Sequence, residues 1–328
     1  MPTKALRTLD NTPTEITSKL RGARVHAILA TGLVLDKSEE FKIWRAVLPT
    51  REEIHALMPF CWPPELQALL PAAAATALTE QRANFNEDWN LVHAAFGDQV
   101  PKDEFVYSWL LVNTRTFYHT TRKTQDLPNE DHMILQPIAD LLNHSSHGCR
   151  VSYDEREFTV TTVREHEAGE EIFISYGAHN NDRLLVEYGF MLAPFSNPWD
   201  EVCVDPYIIP ELLAAGLKER LQDADYWASY KIDDDTACYR TEIALRALLL
   251  PPYQLQDILD GQRDEDLDRE IVNRKLLQVI QRCDSEIDEH LNELEHCGAG
   301  TPDMRKMLIT RWKQIQHIIQ SNIKRLSE

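Results

Sequence analysis

The chain has 328 residues, 43% of them hydrophobic and 27% charged, the composition of a globular protein long enough for two domains or one domain with a large insertion. Its formal net charge of −19 opposes the counterion release that drives duplex nucleic-acid binding, and biases encounters towards basic peptides. No stretch approaches the ~20 apolar residues of a membrane span, the first twenty residues lack a secretory h-region, and the cysteines form no CxxC pair, as expected of reduced thiols in cytosol or nucleus.

The apolar run RVHAILATGLVLDK predicts a buried helix. From about 38 to 104 the pattern stays helical, with Phe41, Ile43, Trp44, Val47 and Leu48 at helical spacing and the prolines of MPFCWPPELQALLP marking turns and a helix start. This block reads as a helical insertion. KDEFVYSWLLVNTRTFY (102–118) predicts an amphipathic helix with Phe105, Trp109, Val112 and Thr116 on one side, which places Arg115 near its end. The texture then changes to alternation: Val151, Tyr153, Phe158, Val160 and Thr162 predict a hairpin that reverses at Asp154-Glu155. Gly169 predicts a turn before a short strand Ile172-Phe173-Ile174. Beyond Pro206 the chain turns helical again. Val272, Leu276, Val279, Cys283, Ile287, Leu291 and Leu294 form one stripe, and Thr301-Pro302 supplies the cap and first turn of a last helix with Met304, Leu308, Ile315 and Ile319 inward. The small strands do not alternate with long helices, which argues against a doubly wound nucleotide fold.

The run ADLLNHSSHGC (139–149) places Asn143, His144, Ser145, Ser146, His147 and Cys149 together after an apolar stretch. Three chemistries compete for it. A structural zinc site needs four ligands in paired spacing, and no second cluster accompanies these; histidines in a loop with ordinary hydrogen bonds are the plainer reading. A serine nucleophile lacks the GxSxG elbow that would expose it. The third possibility is a segment whose backbone and polar side chains hold a ligand. A phosphate cradle elsewhere is excluded, because the one GxG, Gly298-Ala299-Gly300, lies between helices. Further on, EEIFISYGAHNNDRLLVEYGFML carries two tyrosine-glycine pairs, at Tyr176 and Tyr188, around a polar turn and a short helix.

ADLLNHSSHGC and GEEIFISYGAHNNDRLLVEYGF together resemble the paired motifs of the SET-domain protein-lysine methyltransferases, in the branch of the Rubisco large-subunit methyltransferase. FVYSWLLVNTRTF resembles that branch's helix ending in arginine-small-phenylalanine, and MPFCWPPELQALLP its helical insertion. The resemblance implies an α+β fold: a SET domain over 1–200 made of small sheets, with its insertion at about 38–104, followed by an all-α substrate-binding domain over 205–328. It implies S-adenosylmethionine as cofactor and no metal. Arg115 would pair with the cofactor's carboxylate, with Phe117, Asn143, His144 and Phe190 also on the cofactor. Tyr176 would be catalytic, Tyr188 would line the lysine channel and Asp140 would help to form it. The family threads the Asn-His segment near a pseudoknot, an exception to the unthreaded chain of most folds.

The implied reaction is methyl transfer to the side-chain amine of a lysine in a protein substrate, in the cytoplasm and/or nucleus, with no direct nucleic-acid or membrane partner. The chain opens at MPTKALRT, which resembles the segment just after the family's GxG-bearing first strands, so those strands are expected to be missing. Two other readings follow: an inactive SET-like module that binds a protein through its helical domain, and a small-molecule methyltransferase on the same scaffold.

Overall fold

The computed structural model describes residues 7–153 and 158–328. Two compact units divide the chain: one takes the chain up to Cys61 with Ala77–His179 and Leu184–Leu192, the other Trp62–Thr76, Asn180–Arg183 and Ala193–Glu328. The fold is α+β, with long helices and, among the described residues, three two-stranded sheets.

In the first unit the predicted apolar helix is Val25–Leu35, buried on nearly every side against Lys102–Arg115. A helix apolar all round must lie in a core. Trp109 anchors the pair: it is 2% exposed, its indole N–H donates to Asp88 Oδ2 at 2.8 Å, and Phe85 meets it edge-on. The helix expected over 102–118 ends at Arg115 instead. Thr116–Tyr118 is strand β1, paired antiparallel with β2, Met133–Leu135, through Thr116↔Leu135 and Phe117↔Ile134. A β-branched residue followed by two aromatics favours the pleated, half-buried surface over another helical turn. The predicted hairpin is β3, His144–Tyr153, on β4, Phe158–Thr161, in the register Val151↔Val160. Its reversal, placed at Asp154-Glu155, lies outside the described residues, as do the opening residues MPTKAL.

Two expectations change here. The polar run is not a loop, because β3 begins at His144. The strand expected at Ile172–Ile174 reduces to single parallel bridges from Ile174 to His144 and to Cys149. Ile174 N donates to Asn143 O at 2.9 Å, and Cys149 N to Phe173 O at 2.6 Å, so residues 143–149 close around Ile174 from two sides. Gly148 makes this closure possible. A Cβ there would stand 2.4 Å from the Ile174 carbonyl carbon and 2.8 Å from Ser175 N, distances that only the absence of a side chain allows.

The second unit is built on the helices Arg269–His296 and Pro302–Ser327. Val272, Leu276, Val279, Cys283, Ile287 and Leu294 of the predicted stripe are buried, and Leu291 is half-buried. Thr301 caps the last helix by accepting from Met304 N at 3.3 Å. A short sheet joins β5, Val202–Cys203, to β6, Lys231–Ile232. Arg311 is completely buried; Nε and Nη2 hold Asp182 at 2.8 and 3.0 Å, and Nη1 holds Asp200 at 2.8 Å.

Candidate active site

The closure around Ile174 delivers Tyr176 two residues later. Tyr176 N–H donates to His144 Nδ1 at 3.0 Å, and its hydroxyl donates to the Leu142 carbonyl at 2.7 Å. Both ends of the tyrosine are thus pinned to the polar run, the backbone by one residue and the phenol by another. Burial holds His144 below the usual imidazole value, which suits a ring nitrogen that accepts a hydrogen bond.

Aromatic rings surround the phenol. Tyr188 lies 5.2 Å from the Tyr176 ring and Phe190 6.1 Å, and Phe190 also faces His144 at 5.9 Å. Their helix, Asn181–Tyr188, starts on Asn180, whose side-chain oxygen accepts from Arg183 N at 2.9 Å. It stops at Gly189, which sits at φ +77° and donates to Leu185 O. That left-handed ending reverses the chain and turns Phe190 back beside Tyr188. The Asn113 amide holds the end of this helix to the Lys102–Arg115 helix through the Glu187 carbonyl (2.8 Å) and carboxylate (3.0 Å).

The charged part of the site is Arg115 with Asp140. Arg115 Nη1 donates to the Asp140 main-chain carbonyl at 2.7 Å and lies 3.5 Å from Asp140 Oδ2, while Arg115 Nε is buried without an acceptor. Asp140, expected to help form the lysine channel, lies beneath the surface beside Arg115. Its side chain is fully buried, with Oδ2 taken by the Trp44 indole N–H at 2.9 Å and Oδ1 by Ile138 N–H at 3.1 Å. Burial raises the Asp140 carboxyl above the usual range, with Arg115 and these donors opposing the shift. Burial also raises the Tyr176 phenol, Arg115 opposing and Asp140 adding to it. Tyr176 is therefore a protonated phenol at neutral pH, with its hydrogen committed to Leu142 and its oxygen lone pairs available.

The structure thus joins Tyr176, His144, Tyr188 and Phe190 in one ring cluster, and sets Arg115 on Asp140 close enough for both charges to act on Tyr176. Asn143 is exposed; its carbonyl holds Ile174, and its side-chain amide donates to Glu171 at 2.6 Å. Phe117, on β1, sits half-buried and edge-on to Phe158 at 5.0 Å. Trp44, Leu142, Gly148, Glu171 and His179, which stacks on Tyr188 at 6.0 Å, escape sequence reasoning. Only Gly148 carried a signal, a glycine inside a strand-forming run. A cavity of about 1370 Å³ in this unit lies along Arg7, Asp36, Lys37, His119 and Arg122 and includes none of the ring cluster. The site is therefore defined by hydrogen bonding and ring geometry rather than by that cavity. Among the described residues no group of three His, Cys, Asp or Glu is placed to hold a metal ion, and no helix is long and apolar enough to cross a membrane.

Residues 35–177 match the SET domain model, and residues 200–325 match the ribosomal lysine N-methyltransferase 2 C-terminal domain. Ribosomal lysine N-methyltransferase set11 of Schizosaccharomyces pombe is 31% identical over 249 residues, 72% of this chain and 63% of that protein. SET domain-containing protein 4 of Homo sapiens is 30% identical over 244 residues, 68% of this chain and 55% of that protein. This chain thus spans less than two thirds of the length of either relative. The structure of Rubisco LSMT bound to AdoMet superimposes with a TM-score of 0.65 at 17% identity, over 100% of this chain and 80% of that one. The crystal structure of the SET domain of LSMT bound to lysine and AdoHcy gives 0.63 at 16% identity, over 96% of this chain and 77% of that one. At such identity the likeness speaks for the fold. Arg115, Asp140, Asn143, His144 and Tyr176 fall within the SET match, and Tyr188 and Phe190 lie between the two matched stretches. The chain thus carries a SET domain over residues 35–177, followed over residues 200–325 by a C-terminal domain of the ribosomal lysine N-methyltransferase 2 type, on a fold like that of Rubisco LSMT.

Proposed function

We propose that this protein transfers a methyl group from S-adenosylmethionine to the side-chain amine of a lysine in a protein substrate. The observation that carries the reading is Tyr176, a phenol pinned at both ends inside a cluster of rings. Because its hydroxyl hydrogen goes to Leu142 O, its oxygen accepts from an incoming amine and turns the amine's lone pair forward. Only a neutral amine is nucleophilic, and the desolvating rings of Tyr188 and Phe190 lower a lysine's pKa on entry. Holding the amine in line supplies most of the rate such a site can give.

The residues fit the methyl donor. Arg115 Nε, a buried donor with no acceptor, costs about 1–3 kcal/mol unless an acceptor arrives, and the carboxylate of the donor's methionine portion suits it. His144, Asn143, Phe117 and Phe190 would complete the holding surface. When bound, the donor supplies the electrophilic methyl on a sulfonium. Tyr188 lines the lysine channel, while Asp140 serves it from beneath through Arg115.

The relative named as a ribosomal lysine N-methyltransferase makes a ribosomal protein a candidate substrate, and the net charge of −19 favours a basic protein over nucleic acid or an acidic membrane surface. The six unbonded cysteines support a reducing compartment, cytoplasm and/or nucleus, which fractionation tests. Calorimetric titration with S-adenosylmethionine, followed by mass spectrometry of lysine-bearing proteins incubated with it, tests the whole reading. One-to-one binding with methylated lysine is expected. Binding without transfer to any protein or free amine would favour a protein-binding module.

A further inference from the structure

Trp44 lies on the Glu39–Arg45 helix, 5% exposed, in a stretch whose sequence reads only as helical packing. Its indole N–H nevertheless reaches across to Asp140 Oδ2 at 2.9 Å. The other carboxylate oxygen is held by the N–H of Ile138, a β-branched residue at φ +86°. A backbone in that region is costly, and such strain persists only where the surroundings over-determine it. Two donors thus fix the Asp140 carboxylate inside the protein. Asp140 in turn fixes Arg115, because its main-chain carbonyl holds Nη1 at 2.7 Å and its carboxylate stands 3.5 Å from the same atom. The guanidinium is planar, so anchoring Nη1 sets the direction of Nε, the atom left buried without an acceptor.

We propose that Trp44 is a positioning residue for the methyl donor: by holding Asp140 it keeps Arg115 Nε directed at the donor's carboxylate instead of at Asp140. This rests on the reading above, in which Arg115 holds that carboxylate. Without the indole N–H, Asp140 Oδ2 lacks a donor and turns to the guanidinium. Asp140 and the ligand carboxylate then compete for one cation. The share of affinity that depends on the ligand's carboxylate falls, and the share that depends on its adenosine does not.

Two probes separate these shares: S-adenosylhomocysteine, which has the carboxylate, and 5′-methylthioadenosine, which lacks it. Calorimetric titration of the full chain and of Trp44→Phe with each is the test. Trp44→Phe weakens S-adenosylhomocysteine about tenfold, the equivalent of one misaligned charge-assisted hydrogen bond, and leaves 5′-methylthioadenosine unchanged. Asp140→Asn, which keeps the shape and volume of the side chain, shows the same selective loss, and adding Trp44→Phe to it costs nothing more. Equal weakening of both probes, no weakening of either, or additive losses in the double variant each overturn the proposal. A wild-type chain that binds neither probe sinks the cofactor reading itself, and Trp44's role with it.

Discussion

Tyr176→Phe removes one oxygen and leaves the ring. In the folded protein that oxygen donates to Leu142 O at 2.7 Å, so the variant strands one carbonyl. The expected loss of stability is about 1 kcal/mol, or a fall of roughly 2–4 °C in Tm for a chain of this order of length. The catalytic loss is larger. The phenol oxygen is the acceptor that orients the amine, and removing one pre-organised polar group of this kind lowers kcat by roughly 100- to 1,000-fold. S-adenosylmethionine affinity should stay within about twofold of wild type, because the ring and the His144 contact to the Tyr176 backbone remain. Single-turnover methylation at saturating donor, with calorimetry on the same preparation, measures all three quantities. If kcat falls by less than about threefold while Tm drops as expected, the hydroxyl is a structural pin and the mechanism built on it is wrong.

Gly148→Ala puts a methyl 2.4–2.8 Å from the backbone of Ile174 and Ser175; about 3 kcal/mol of stability should be lost in denaturant unfolding, and wild-type stability would mean the crossing at Ile174 is looser than described. Arg311→Met leaves Asp182 and Asp200 buried and facing each other, which should cost about 3–5 kcal/mol; a neutral result in the same assay would show that the carboxylates find other partners. His26 stacks on Trp109 at 4.3 Å with Nε2 on the Trp109 carbonyl, and burial lowers its pKa from 6.5 to about 4. Its unfolded form therefore takes up a proton below pH 6.5 and its folded form only near pH 4, so the stability it contributes is complete above 6.5 and lost as pH falls through that window, about 3 kcal/mol in all. His26→Gln should flatten that limb relative to wild type. The comparison isolates His26 from Asp88, whose burial-raised carboxyl acts with the opposite sign.

How much of this was legible beforehand depends on the range of the signal. The stripe from Val272 to Leu294 and the apolar run from Val25 are local and repeat with the helical period, so the buried faces follow from spacing alone. The strands are short and owe their existence to partners elsewhere in the chain. Thr116–Tyr118 continues an amphipathic pattern, and its β-prone residues form a strand where Leu135 is there to pair with them. Ile172–Ile174 has every local mark of a strand and forms only single bridges, because what it meets is a segment closing around it. A propensity describes one chain segment, whereas a ladder is a property of two.

The site divides in the same way. Asn143 and His144 stand out as polar residues stacked after an apolar stretch, where polar groups demand a reason, and Tyr176 as part of a tyrosine-glycine pair, while the role expected of each comes from the resemblance to the SET-domain family. Trp44 was invisible because a tryptophan at helical spacing is already explained by packing. Its indole carries a second function that no periodicity records, a donor aimed at a carboxylate 96 residues away in sequence. Gly148 left only the mark of a glycine in a strand-forming run, since its contribution is an atom it lacks, against a backbone that arrives only after folding. Sequence therefore locates the groups that face a ligand better than the groups that aim them. In this protein the aiming is done by a tryptophan, a glycine and a strained isoleucine, each of which has an ordinary local explanation.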